Sequence, residues 1–374
     1  MKPAVPRTDL RQTAARIGIN ALYLIPGRVG GTEIYLRELL EALARIDAIN
    51  QYFIFTNLDT PTGLVPSQAN FHQIGQNVRA SFRPARILWE QTVLPFEVAR
   101  YRLDVLFNPG FTSPLLARCP SVTVFHDLQH KLHPEHFQRW DLPFWRLLLW
   151  MAAHRSRALI AISEATRADL QRCYRIPGKV VAVIPHGVGP RFFTLDRSST
   201  KPYLLYVATL HPHKNHERLL RAYAQRHRRE QLVFAGLPGL HANAVRALIA
   251  ELNVGDSVRL TGWIPREELY RLYAQASACV VPSTFEGFGM PVLEALAAGI
   301  PTACSDIPPL RESAGEAALF FDPRDENAIA AALDRITGDE PLRQTLARAG
   351  PQRARSFTWE TTASKTLETL LSVT

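Results

Sequence analysis

The sequence predicts an α/β protein built from two successive, doubly wound parallel sheets. Short apolar runs without alternation recur along the chain, as in strands buried on both faces. Segments with apolar residues at helical spacing separate them. The rhythm breaks at a polar segment, 189–202, which holds Pro190, Asp196, three consecutive hydroxyl residues at 198–200 and Pro202, and then starts again. A length of 374 residues accommodates two such domains. The reading divides the chain into an N-terminal domain over 1–190, a C-terminal domain over 191–355 and a last helix over 356–374.

In the first domain the polar stretch 1–15 reads as a loose tail. A strand is expected from Ile17 to Ile25, then a Gly30-Gly31 turn with Thr32 as N-cap of a helix from Glu33 to about Arg45. Further strands are expected at Tyr52–Thr56, Asn70–Ile74, Asp104–Asn108, Val122–Phe125, Ala158–Ile162 and Val180–Ile184. Residues 75–90 carry Arg79, Arg83, Arg86 and Trp89 and suit either a solvated basic segment or one wall of a cleft. The stretch 137–157 mixes Trp140, Phe144, Trp145 and Trp150 with Arg139, Arg146, Arg155 and Arg157. Its basic-aromatic pattern fits a helix lying on a membrane surface and one packed inside the domain equally well. In the second domain strands are expected at Tyr203–Thr209, Gln231–Ala235, Val258–Thr261, Ala278–Val281, Thr302–Cys304 and Ala318–Phe321, with helices between them.

Composition narrows the function classes. The net charge is +9, and residues 1–190 hold 22 Lys/Arg against 14 Asp/Glu. A basic first half suggests an anionic partner, with an anionic membrane surface or a diphosphate-linked lipid fitting equally. No nucleic-acid motif accompanies the charge, so no nucleic-acid partner is expected. The four cysteines are scattered singly, without metal or redox spacing, and imply a reducing compartment. No signal peptide and no membrane-spanning run are read, so a cytoplasmic location is expected, with peripheral attachment to a membrane face left open.

The chemistry concentrates in one stretch, Pro282 to Glu294. A strand ends at Val281, a loop with Gly287 and Gly289 follows, and Pro291 suits the start of a helix. The amides of Phe288, Gly289 and Met290 would then open a helix whose N-terminus favours a phosphate or diphosphate. Glu286 and Glu294 flank that turn. Carboxylates there are poorly placed to bind phosphate but well placed to accept hydrogen bonds from hydroxyls on either side of it, as a nucleotide sugar offers. Lys214 stands at the end of another strand, beside a helix N-terminus expected to be capped by Asn215, and addresses the same anion. Thr209 opens that loop and His213 precedes the lysine. The Gly30-Gly31 turn is a second, weaker anion or substrate site. His126 and Asp127 follow a strand's carboxyl end, where ligands sit in open α/β sheets. No Asp-x-Asp and no His/Cys cluster occurs, so neither a metal nor another cofactor is expected.

Glu286 and Glu294, eight positions apart across a strand-loop-helix boundary, resemble the Glu-x7-Glu signature of retaining glycosyltransferases of family 4. Further resemblances are Ile184-Pro185-His186-Gly187-Val188, with His186 where the family usually has Asn, and Thr261-Gly262-Trp263-Ile264-Pro265. A Phe357-Thr358-Trp359 entry to the last helix completes the pattern. The family resemblance implies a GT-B fold, two Rossmann-like domains facing across a cleft, with the last helix returning to the first domain. It implies that Glu294 binds the ribose, Glu286 and His126 the donor sugar, Lys214 the diphosphate, and Trp263 or Ile264 the base. Asp127 would border the acceptor or orient its loop. His213 replaces a common Arg, for which Arg28 is the other candidate cation. The loop around Lys214 looks like that of bacterial mannosyltransferases of surface polysaccharide assembly. This points to GDP-mannose as donor and to a glycan or lipid-linked acceptor. A UDP-hexose donor, and a nucleotide-sugar-binding protein without turnover, are the alternatives.

Overall fold

The structure, a computed structural model, describes residues 14–27, 30–60, 62–137, 141–176, 181–227 and 230–374. The tail up to residue 13, Arg28, Arg139 and Trp140 fall outside them. The first half contains β1 (Arg16–Asn20), α1 (Gly31–Ile46), β2 (Gln51–Thr56), β3 (Phe71–Gly75), α2 (Arg83–Arg100), β4 (Val105–Asn108) and β5 (Ser121–Phe125). It continues with α3 (Gln129–Leu132), α4 (Leu142–Arg155), β6 (Ala158–Ala161), α5 (Glu164–Tyr174) and β7 (Val181–Val183). The second half contains β8 (Lys201–Val207), α6 (His216–Ala224), β9 (Gln231–Ala235), α7 (Ala242–Glu251), β10 (Val258–Leu260), α8 (Arg266–Gln275), β11 (Ala276–Val281) and α9 (Met290–Ala297). After these come β12 (Thr302–Ser305), α10 (Pro308–Ala314), β13 (Leu319–Phe321), α11 (Glu326–Gly338), α12 (Glu340–Ala354) and α13 (Trp359–Leu371).

The strands form two parallel sheets, ordered β3-β2-β1-β4-β5-β6-β7 and β10-β9-β8-β11-β12-β13. Helices cover both faces, which is why strands such as β5 are buried at every position. Each sheet reverses its winding once, at β1/β4 and at β8/β11. Loops diverge at such a point and leave a crevice at the strands' carboxyl ends. The α/β class and the two-sheet architecture expected from the sequence are what the structure has.

Local differences have local causes. The first strand ends at Asn20 rather than Ile25. The Asn20 side chain accepts from the Leu22 amide at 3.3 Å and donates to Asn108 at 3.2 Å, turning the chain. Gly30, with φ of 59°, is the N-cap of α1, so Thr32 lies inside the helix. Arg86 points inward and pairs with buried Glu90 at 3.3 Å. Trp89 donates to Gln76 at 2.9 Å, so these two residues are framework rather than cleft wall.

The two halves are joined at several points. The tyrosine ring of Tyr35 on α1 lies 6.0 Å from Trp359 on α13, and Arg45 pairs with Glu360 at 2.8 Å. Gly187 passes beneath the start of α13, where a Cβ would land on the backbone of Trp359. Gly187→Ala should therefore destabilise the protein by about 1–3 kcal/mol, the usual cost of overpacking. Thermal unfolding checks this; an unchanged Tm would mean that the crossing has slack.

Candidate functional site

The site is built where the loops after β8 and β11 meet at the switch point. Tyr206 on β8 ties them together: its hydroxyl donates to the Lys214 carbonyl at 2.8 Å and lies 3.0 Å from the Ser283 hydroxyl. Asn215, held at φ of 60°, does not cap α6 with its side chain. Its amide instead donates to the carbonyls of Pro282 and Pro323, at 2.9 and 2.7 Å. The Thr284 amide donates to the His213 carbonyl at 2.8 Å. These bonds fix Lys214 opposite Glu286, and Nζ and Oε1 form an ion pair of 2.7 Å. Both side chains are largely buried, so solvent screens the pair weakly.

Beside this pair α9 begins. Gly289 takes φ of 97°, a left-handed conformation that suits glycine, and the helix starts at Met290. Pro291 follows within the first turn, where its missing N–H leaves no bond unmade. The first amides of a helix have no partner within it, so the turn presents donors and a positive dipole end to the crevice. Phe288 is buried against Phe357 and His186 and anchors the turn from below.

Glu294 lies one turn into α9 and accepts from the Tyr273 hydroxyl at 2.8 Å. Burial pushes its carboxyl up to about 7, and the nearby Arg266 guanidinium opposes that shift. Arg266 also donates to Tyr270 at 2.8 Å and pairs with Glu38 of α1 at 2.9 Å, which links the surroundings of Glu294 to the other domain.

The opposite wall comes from the first domain. His126 is buried and donates Nε2–H to the Pro109 carbonyl at 2.8 Å. Burial lowers its pKa to about 4, so the ring is neutral at pH 7 and Nδ1 is an acceptor. Asp127 accepts from the Gln129 amide at 2.9 Å and thereby opens α3. Burial raises its pKa, with Lys214 opposing and Glu286 adding to the shift, which places it in the same electrostatic field as the pair. Gly287 fits against this wall so closely that a Cβ would land on the His126 carbonyl oxygen. Ser163, the N-cap of α5, accepts from the Thr166 amide at 3.0 Å and also donates to the Gly287 carbonyl at 2.7 Å.

The structure thus gathers His126, Asp127, Lys214, Glu286, Gly287, Phe288, Gly289 and Met290 around one crevice. Gly31 reaches it too: a Cβ there would come 3.9 Å from the Met290 sulfur, whereas one on Gly30 would meet nothing. His213 bonds through Nδ1 to Gln129 at 2.8 Å, so it bridges the domains. Thr209 is half-buried beyond this loop. Trp263 is 60% exposed and approaches Gly27 of the first domain, while Ile264 packs on the core. Ser163, Gln129, Glu38 and Arg266 were not singled out as site residues from sequence. Their roles lie in contacts between domains, which no local spacing encodes. Among the described residues no group of three or more His, Cys, Asp or Glu could hold a metal ion.

Two parallel sheets, with a glycine-rich strand-to-helix turn at the switch point of the second, define the α/β class, and comparison with known proteins gives the family. The family model "Glycosyltransferase Family 4" matches residues 29–192, and "Glycosyl transferases group 1" matches residues 191–353. The chain belongs to these glycosyltransferases and has the GT-B fold. It is similar to O-antigen chain mannosyltransferase B of Escherichia coli, 28% identical over 71% of this chain and 74% of the relative. It is also similar to O-antigen chain mannosyltransferase RfbU of Salmonella typhimurium, 28% identical over 60% of this chain and 62% of that one. Among solved structures, sucrose-phosphate synthase of Thermosynechococcus elongatus superposes with a TM-score of 0.80 at 24% identity, covering 96% of this chain and all of that one. Anabaena HepE, solved with UDP and glucose, gives 0.76 at 19% identity, with 96% and 100% covered.

The raised pKa of Glu294 has a stability consequence. The folded state holds this proton more tightly than the unfolded chain, so stability falls as pH rises from about 4 to about 7 and levels off above. Glu294→Gln should therefore melt above the wild type at pH 8, by roughly 1–3 kcal/mol in unfolding free energy, with the gap closing towards pH 5. A gap independent of pH, measured by denaturant titration, would remove Glu294 as its source.

Proposed function

We propose that the protein is a retaining, metal-independent mannosyltransferase. In this reading it uses GDP-mannose and extends a glycan or lipid-linked acceptor of cell-surface polysaccharide. The observation that carries the reading is the Lys214–Glu286 pair at the N-terminus of α9, facing neutral His126. A cation and a helix N-terminus suit a diphosphate, and an adjacent carboxylate suits sugar hydroxyls. The mannose donor is favoured by the names of the two relatives above.

In this mechanism the bond between the hexose C1 and the diphosphate oxygen breaks while the acceptor oxygen attacks C1 from the same face. The departing phosphate oxygen takes the acceptor proton, and the configuration at C1 is kept. Lys214 and the amides of Phe288, Gly289 and Met290 stabilise the charge that develops on the leaving diphosphate. Glu286 accepts from hexose hydroxyls, and Nδ1 of His126 accepts from the 6-hydroxyl. Glu294 holds the ribose. Asp127 orients the loop below the acceptor and is the alternative base. No metal or other cofactor takes part.

The acceptor side also fits a membrane surface. Leu88 and Phe96 on α2, and Phe144, Leu147 and Trp150 on α4, are exposed apolar side chains. Arg83 of α2 pairs with Asp141 at 3.0 Å and lies 5.1 Å over the Trp145 ring, holding the two helices side by side. Among the described residues no helix is long and apolar enough to cross a membrane. Peripheral attachment at the cytoplasmic face would bring a lipid-linked acceptor to the cleft.

Incubation with GDP-mannose and a polyprenyl-diphosphate-linked glycan should yield an α-mannosyl product, read from the one-bond C1–H1 coupling by NMR. A β product would contradict retention. Lys214→Ala should reduce affinity for the nucleoside diphosphate at least about tenfold, as loss of a charge-assisted contact does; unchanged affinity would take Lys214 out of that site. Replacing Leu147 and Trp150 by serine should lower binding to vesicles containing phosphatidylglycerol in a sedimentation assay, and undiminished binding would place the membrane contact elsewhere.

A further inference from the structure

A cavity of about 210 Å³ lies at the carboxyl ends of β8, β9 and β10, on the side of the β8 loop away from β11. Ala208, Leu210, Phe234, Gly236 and Gly262 contribute to its walls, and Arg246 reaches it from α7. It is smaller than the roughly 300–1,000 Å³ of pockets that hold a drug-sized ligand, and suits a planar heterocycle rather than a whole nucleotide sugar. A diphosphate at the β8/β11 switch point would leave its nucleoside on this side of the sheet.

Several backbone amides of the walls are already paired. The Leu210 amide donates to the Leu237 carbonyl at 3.1 Å, Gly236 to Gly262 at 3.2 Å and Thr261 to Phe234 at 3.0 Å. Gly236 admits no side chain, because a Cβ would land on the Ala208 carbonyl. Among the described residues, Arg246 is the one ionisable residue lining the cavity. It is exposed and has no ion-pair partner among the described residues.

We infer that Arg246 selects the base, donating two parallel hydrogen bonds to the adjacent acceptors O6 and N7 of a guanine held in this cavity. The inference rests on the nucleotide-sugar reading above. A guanidinium offers donors only and stays charged, so it matches an edge with two neighbouring acceptors. Guanine has that edge. Adenine sets an amino donor beside N7, and uracil sets an N–H beside its O4, so each leaves a donor facing a donor. The residue therefore fixes which nucleoside diphosphate sugar the enzyme accepts.

Calorimetric titration of the full chain with GDP, UDP and ADP tests this, using the wild type, Arg246→Ala and Arg246→Lys. The wild type should bind GDP most tightly. Arg246→Ala should weaken GDP about 10- to 100-fold, the worth of one bidentate base contact, and UDP by less than about threefold. Arg246→Lys keeps the charge but loses the fork, and should lose most of the preference too. An equal loss for all three nucleotides in Arg246→Ala would make the arginine a stacking or steering group and overturn the inference. So would a wild type that prefers UDP or ADP, or an unchanged ratio in the variants. Failure of the wild type to bind any diphosphate would instead overturn the nucleotide reading itself. Because Arg246 lies on an exposed helix face, its variants should melt with the wild type, and Tm measured alongside separates binding loss from unfolding.

Discussion

The closeness of Gly287 to the backbone of His126 is the constraint on which the site depends. There is no room for even a methyl group between them. The contact draws the turn before α9 of the second domain against the carboxyl edge of the first, and Ser163 holds it there through the Gly287 carbonyl. Around it the domains meet at Gln129–His213 and at Glu38–Arg266. The α5 N-terminus is covered by Glu312 of the second domain, whose oxygens accept from the Glu164 amide at 2.8 and 3.0 Å. Polar and charged groups carried on separate sheets are thereby brought into one crevice.

Electrostatics then divides the crevice by function. Lys214 and the α9 dipole supply positive charge at one point. Glu286 stands against the lysine, while Asp127 and Glu294 are held by burial above their ordinary carboxyl range. His126 is kept neutral by the same burial, which outweighs the opposing effect of its bond to the Pro109 carbonyl. A diphosphate entering here would meet one fixed cation and a set of amides, flanked by acceptors. Such a preorganised field costs little reorganisation when charge moves onto the leaving group.

Much of this was legible in the sequence because it rests on local signals. Unbroken apolar runs marked the strands of both sheets, and the glycines and Pro291 marked the turn into α9. The placement of Lys214, Glu286 and His126 in the loops after β8, β11 and β5 could be read because each follows a strand's carboxyl end. What was not legible depends on tertiary contact. Arg86 reads as a surface cation until Glu90, four residues on, is seen buried beside it. Ser163 reads as a cap alone until Gly287 arrives from the other domain, more than a hundred residues away. Asn215 reads as a cap for α6, but its amide donates to two proline carbonyls and its oxygen accepts from the Arg218 guanidinium, so no amide of the helix bonds to it. Thr32 reads as the cap of α1, but that place falls to Gly30, at φ of 59°.

The central claim is that this crevice binds the diphosphate of a nucleotide sugar through Lys214 and the α9 amides, without a metal ion. Thermal stabilisation by GDP, UDP, ADP and dTDP, each with and without a chelator, tests it most directly. The account predicts a clear rise in Tm with at least one diphosphate, largest for GDP and indifferent to chelator. Stabilisation abolished by chelator, or absent with every diphosphate, would contradict it.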